Sequence, residues 1–257
     1  GYGSFSDIGP VNPTDPYTDT TTLDGKCYRY RMVATDRVNN ITIANDPSSD
    51  EIRIDRTNPA GTISATPTGP ISGTANTFTG TATDAFSGVT NIAFSYSGPA
   101  SGTISGCSGG PTYLSWSCTW NTVSPVIPDG TYTLLLTVTD AAGRTGTATR
   151  TVVVDNNPPV VTFNSFVEVT NQNFQHAVGN TLYFNPAGSG AFTLNIDASD
   201  GGTGINYVAF PDLDGSATQW LPSGGTQDAT GTPYSEIYSW SPVAAAPGSG
   251  VIATGVD

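Results

Sequence analysis

Apolar and polar residues alternate along this chain in short runs, and each run stops at Gly, Pro, Asn or Asp. The clearest are DGKCYRYRMVATD (24–36), FTGTATDAFSGVTNIAFSY (78–96), YLSWSCTW (113–120), DGTYTLLLTVTD (129–140) and FTLNIDASDGGTGINYVAF (192–210). A period of two places every second side chain on one face of a strand. Outside the DAAGR and VAAAP patches, no window carries apolar residues at helical spacing over three turns. The pattern predicts an all-β chain.

Two of these runs are versions of each other. Counted back from Asp36 and Asp140, Tyr28, Tyr30, Met32 and Ala34 match Tyr132, Leu134, Leu136 and Val138, one face of a strand in each case. Each run leads through a short turn to a strand with a boundary signal, EIRIDRTNPAG and RTVVVDNNPPVV, and Asp55 and Asp155 stand 100 residues apart. An earlier element repeats too: Asp84 precedes Asp140 by 56 residues, and Asp200 precedes Asp257 by 57. A repeat of about 100 residues has the length of one β-sandwich domain. The spacing divides the chain into 1–56, the C-terminal part of one domain; 57–157, a complete domain; and 158–257, a domain lacking its last strand.

The segments TATDAFSGV, TWNTVSPVIPDGTYTLLLTVTDAAGRTG and VVVDNNPP carry a further message. They resemble the ATDxxSG, W[ND]T…DGxYxLxxxxTDxAGN and VxVDxxxP elements of bacterial immunoglobulin-like (Ig-like) repeats in large secreted and cell-surface proteins. The resemblance implies tandem Greek-key β-sandwiches arranged as an extended array, in an extracellular setting. The third domain departs from the pattern: 45 residues separate Asp155 from Asp200, against 29 between Asp55 and Asp84. In such a sandwich, alternate residues of YLSWSCTW put Trp116 and Trp120 in the core. Tyr28 and Tyr132, near the start of the penultimate strand, read as structural tyrosine-corner residues.

The same fold brings the ends of its second and sixth strands to the pole where the linker enters. Asp84 and Asp140 are thereby expected near Asp55 and Asn58, and Asp200 and Asp257 near Asp155 and Asn157. Converging carboxylate and amide oxygens suit Ca2+, which takes six to eight oxygen ligands. The competing reading is local: Asp and Asn cap turns through their own backbone, and Arg56 is at hand to neutralise the first cluster. The second junction, without an arginine, is favoured.

Composition narrows the function. Eight Lys and Arg stand against 21 Asp and Glu, a net charge of −13, which disfavours nucleic acid and anionic membranes as partners. No apolar run approaches the roughly 20 residues needed to span a bilayer. Cys107 and Cys118 bracket a Gly- and Ser-rich turn and suit a local disulfide, free buried thiols being the other reading; a disulfide implies an oxidising compartment. Cys27 has no counterpart in its own segment, so its partner is expected upstream of residue 1, a free thiol being the alternative. With His176 as the single histidine and no GxSxG, P-loop or HExxH, there is no catalytic constellation, and the chain is expected not to be an enzyme. The expected function is that of a spacer in a surface protein or filament, with adhesion as a further role. Its expected partners are neighbouring repeats and other copies of itself. The alternative is an accessory module that binds glycans or other ligands.

Overall fold

A computed structural model of the chain describes residues 4–11, 15–45, 51–214, 219–248 and 252–257. Among them, twenty strands and one short 3-10 turn, Gln172–Phe174, make up the regular structure. The first segment contributes β1 (Lys26–Tyr28), β2 (Arg31–Thr35), β3 (Ile41–Asn45) and β4 (Ile52–Ile54). The second contributes β5 (Ala60–Ile63), β6 (Asn76–Thr83), β7 (Val89–Ser97), β8 (Gly102–Ile104), β9 (Trp116–Trp120), β10 (Gly130–Asp140) and β11 (Thr145–Val154). The third contributes β12 (Val160–Thr170), β13 (Gln175–Val178), β14 (Thr181–Phe184), β15 (Gly190–Ser199) and β16 (Tyr207–Phe210). It continues with β17 (Trp220–Leu221), β18 (Thr226–Asp228), β19 (Tyr234–Trp240) and β20 (Thr254–Val256). Helices are absent because no described segment offers a 3.6-residue apolar stripe, while Thr, Val and aromatic residues suit the pleat.

The second segment is a two-sheet Ig-like sandwich. One sheet runs β5-β6-β9 and the other β11-β10-β7-β8, and the chain crosses between them after β6, β8 and β9, as a Greek key requires. Ile71 leaves the first sheet to pair in parallel with Val154 of the second. Alternation decides the core: Tyr132, Leu134, Leu136 and Val138 of β10 are fully buried, and Phe78, Phe94, Trp116 and Trp120 meet them from the other strands. Each such aliphatic side chain contributes about 1.5–3 kcal/mol by leaving water. Trp120 and Tyr132 pack edge to face at 5.6 Å, and Phe94 and Trp116 lie 5.4 Å apart. The residues between them point outward as a hydroxyl-lined face, Thr133, Thr137 and Thr139 standing opposite Thr151, Thr147 and Thr145.

The third segment repeats this plan with sheets β12-β15-β19-β17 and β18-β16-β20 around Phe192, Trp220, Tyr238 and Trp240. Its extra length is the β13–β14 hairpin, held at the core by Phe184 against Trp220 and Trp240. The first segment departs from expectation. The run 24–36 is not one strand but two, β1 pairing with β4 and β2 with β3. Its face of Tyr30 and Met32 lies exposed, and Tyr28 is only half-buried. The reason is physical: among the described residues no second sheet stands opposite, so alternation has nothing to pack against. The register is nonetheless conserved within the chain, since Tyr28 faces Ile52 as Tyr132 faces Val152.

Candidate functional site

The acidic positions singled out above lie just outside the sandwiches, where strands stop. Asp55 follows β4, Asp84 follows β6 and Asp140 ends β10; Asp155 follows β11, Asp200 follows β15 and Asp257 follows β20. The folds bring them together in two triads, Asp55–Asp84–Asp140 and Asp155–Asp200–Asp257. In each, one carboxylate oxygen per residue lies within 4.8 Å of the others.

Each triad is built on backbone donors. Asp84 Oδ1 accepts the N–H groups of Phe86 at 3.0 Å and Gly88 at 2.8 Å, which closes the turn after β6. Asp200 Oδ1 does the same for Gly202 at 2.9 Å and Gly204 at 3.1 Å. Asp140 Oδ1 accepts Arg144 N–H at 2.8 Å. The linker aspartates reach into the following unit, Asp55 Oδ2 accepting Ser87 N–H at 3.0 Å and Asp155 Oδ2 accepting Thr203 N–H at 2.8 Å.

In four of these aspartates the bonds use one oxygen and leave the other idle. Asp84 Oδ2, Asp140 Oδ2, Asp155 Oδ1 and Asp200 Oδ2 are shielded from solvent and have no hydrogen-bond partner, and Asp140 as a whole is only 2% exposed. An orphaned buried oxygen costs about 1–3 kcal/mol, more when charged. Two carboxylates 4.8 Å apart repel by roughly 3 kcal/mol at an effective dielectric constant of about 20. Burial pushes the Asp84 carboxyl up, but the N–H groups of Gly88, Phe86 and Ser87 and the Ser87 hydroxyl together hold it below the ordinary 3.8. It is therefore anionic at neutral pH. The donor set is hard, anionic and all oxygen, the chemistry that Ca2+ takes.

Each of the two linker asparagines has a side-chain partner outside the triads. Asn58 Oδ1 accepts Arg144 Nε at 3.0 Å, and Asn157 Nδ2 donates to Asp129 Oδ2 at 2.6 Å. Arg56 is engaged elsewhere, its guanidinium donating to Thr22 O at 2.8 Å and Thr22 Oγ1 at 2.9 Å.

Sequence reasoning missed a second set of contacts, on the preceding side of each linker. Asp24 Oδ1 accepts Arg56 N–H at 2.6 Å, and its Oδ2 accepts the Thr57 hydroxyl at 2.8 Å. Asp129 Oδ1 accepts Asn156 N–H at 2.7 Å, with Asn157 on its Oδ2. The signal was the repeated Asp-Gly before each tyrosine, which reads as an ordinary turn.

The remaining candidates lie outside the triads. Cys107 and Cys118 form a disulfide. Trp116, Trp120, Trp220 and Trp240 are all buried. The Tyr132 hydroxyl donates to Pro128 O at 2.8 Å, and the Tyr28 hydroxyl accepts Leu23 N–H at 2.8 Å. His176 is exposed on β13, its Nδ1 3.9 Å from Glu168. No helix among the described residues is long and apolar enough to cross a membrane.

No protein-family model and no curated protein matches the chain. Among solved structures, fibronectin(III)-like modules of Clostridium thermocellum CbhA share 17% identity at a TM-score of 0.28, over 72% of this chain and 80% of that one. A tetra-tandem repeat from the extending region of a large adhesion protein shares 15% identity at a TM-score of 0.34. That match covers 88% of this chain and 52% of the other, so the chain spans about half its length. Carbohydrate-binding modules of the β-sandwich superfamily share 12% at a TM-score of 0.28, over 73% of this chain and 86% of that one. All are likenesses to β-sandwich proteins; the Ig-like fold assigned to this chain rests on its own paired sheets and their cores.

Proposed function

We propose that the chain is a run of rod-forming Ig-like repeats, a spacer in an extracellular surface protein, and that Ca2+ held by the acidic triads stiffens its junctions. The observation that carries this reading is the repetition of the triad. Asp55–Asp84–Asp140 and Asp155–Asp200–Asp257 are assembled from corresponding strand ends, and shielded oxygens without partners occur in both. A turn-capping role accounts for the oxygens that accept backbone N–H groups, and it leaves the idle ones unexplained. A divalent cation would offset most of the triad's negative charge and tie a linker aspartate to two aspartates of the next unit. The first junction gains standing over the second, because Arg56 is spent on Thr22 and Asp140 is almost wholly buried. An extracellular setting supplies both millimolar-range Ca2+, as extracellular modules use, and the oxidising conditions that maintain the disulfide.

Calorimetric titration of the chelator-treated protein with Ca2+, paired with thermal melts, tests the proposal. Binding heat and a rise in melting temperature are expected, both abolished by Asp84→Asn with Asp200→Asn. The absence of both binding heat and a melting shift in the wild type would overturn it.

A further inference from the structure

The contacts on the preceding side of each linker have the same construction twice over, with different residues. In both, an aspartate takes the backbone N–H of the second linker residue on Oδ1 and the side chain of the third on Oδ2: Arg56 and Thr57 on Asp24, Asn156 and Asn157 on Asp129. In both, the second linker residue sends its side-chain N–H to the carbonyl two positions before that aspartate. Arg56 Nη1 reaches Thr22 O at 2.8 Å, and Asn156 Nδ2 reaches Ile127 O at 2.9 Å. Three bonds recur while three of the four linker side chains change type, so the geometry is what the repeat retains.

Asn156 goes furthest. Its Nδ2 also donates to Thr122 O at 3.0 Å, and its Oδ1 accepts the hydroxyl of fully buried Thr122 at 2.9 Å. The amide thus closes the lower end of the second sandwich, while the residue before it, Asp155, is held by Thr203 N–H of the next one. Two adjacent residues fasten the linker to both neighbours. With the φ of Pro158 fixed and Asn157 held extended by it, little rotational freedom is left.

We propose that Asn156 and Arg56 are positioning residues that fix the orientation of successive units through Asp129 and Asp24, and that they do so without a cation. The proposal rests on the rod reading but not on Ca2+. A junction of this kind is preorganised: the linker aspartate is already placed when an ion arrives, and less ordering is charged against binding.

The test is 15N relaxation and amide exchange on the full chain in excess EGTA, where failure of the Ca2+ reading has no bearing. In the wild type, residues of 57–157 and 158–257 should share one rotational correlation time. The Asn156 amide should exchange at least about tenfold more slowly than an open chain. Asn156→Ala and Asp129→Ala, checked for folding by tryptophan fluorescence, should each split the two units into separate, shorter correlation times. A folded variant that still tumbles as one body, or a rapidly exchanging Asn156 amide in the wild type, would overturn the proposal.

Discussion

Gly255 lies against Val161 in the third unit as Gly61 lies against Val138 in the second, with the glycine and the valine exchanged between strands. A Cβ on Gly61 would stand 2.6 Å from Val138 Cγ2, and one on Gly255 would stand 2.9 Å from Val161 Cγ2. Val138 and Gly255 occupy the same rung, opposite Ile92 and Val208. The contact is therefore a bump and a hollow whose sides have been swapped between repeats. Gly61→Ala should overpack it and destabilise the second unit by about 1–3 kcal/mol. Gly61→Val with Val138→Gly and Leu136→Ala copies Val161, Gly255 and Ala253 of the third unit and also removes the Leu136 Cδ2 that would stand 2.8 Å from the new Cβ, so it should recover part of the loss. Urea denaturation followed by tryptophan fluorescence measures both.

Asp140 makes opposite demands with and without a cation. Its Oδ2 is shielded and unpartnered beside two other carboxylates. In EGTA, Asp140→Asn should raise stability by about 1–3 kcal/mol, because it removes a buried charge and supplies a donor. In Ca2+ the same variant should lose the share of the metal-induced rise in melting temperature that the first triad supplies, the second triad being intact. Melts of both proteins in both buffers give the crossed pattern; parallel curves would contradict it.

Asp84 carries a pH signature. Its native carboxyl lies below the ordinary 3.8, its N–H donors outweighing burial. Between the two values the unfolded chain binds more protons than the native one, so stability rises with pH there. The Asp84 contribution is fully present above the unfolded value and is lost as pH falls through the lower native value. Asp84→Asn should flatten the plot of urea midpoint against pH below about 4 relative to wild type.

The Cys107–Cys118 bridge closes a loop with a sequence separation of 11, beside the buried Trp116. Cys107→Ser with Cys118→Ser should cost about 3 kcal/mol, the chain-entropy value for so short a loop. A guanidinium titration of the double variant reads this directly.

The strand runs, the disulfide and the convergence of Asp84 and Asp140 on Asp55 were legible because each depends on periodicity or on the ends of strands. The first unit was misread at Tyr30 and Met32, where the alternation is intact but no opposing sheet is described to bury it. Asn58 and Asn157 were grouped with the aspartates by proximity alone. Their amides turn instead to Arg144 and Asp129, a choice of rotamer that spacing does not encode. The Asp24 and Asp129 contacts were invisible for another reason: much of their bonding goes through backbone atoms, and the side chains that join in differ between the repeats.

The threonine-lined faces of the second sandwich have an electrostatic corollary. Between Thr57 and Asn157 the charged residues are Asp84, Asp129, Asp140, Asp155, Arg144 and Arg150 alone, and the outward rows of β10 and β11 contain none of them. The field of this stretch is banded, with anionic nodes at the linkers and between them a sandwich whose one charged side chain, Arg150, is turned off the outward threonine row. Salt and divalent ions act on the nodes, while the threonine-lined face between them meets a neutral surface without charge repulsion.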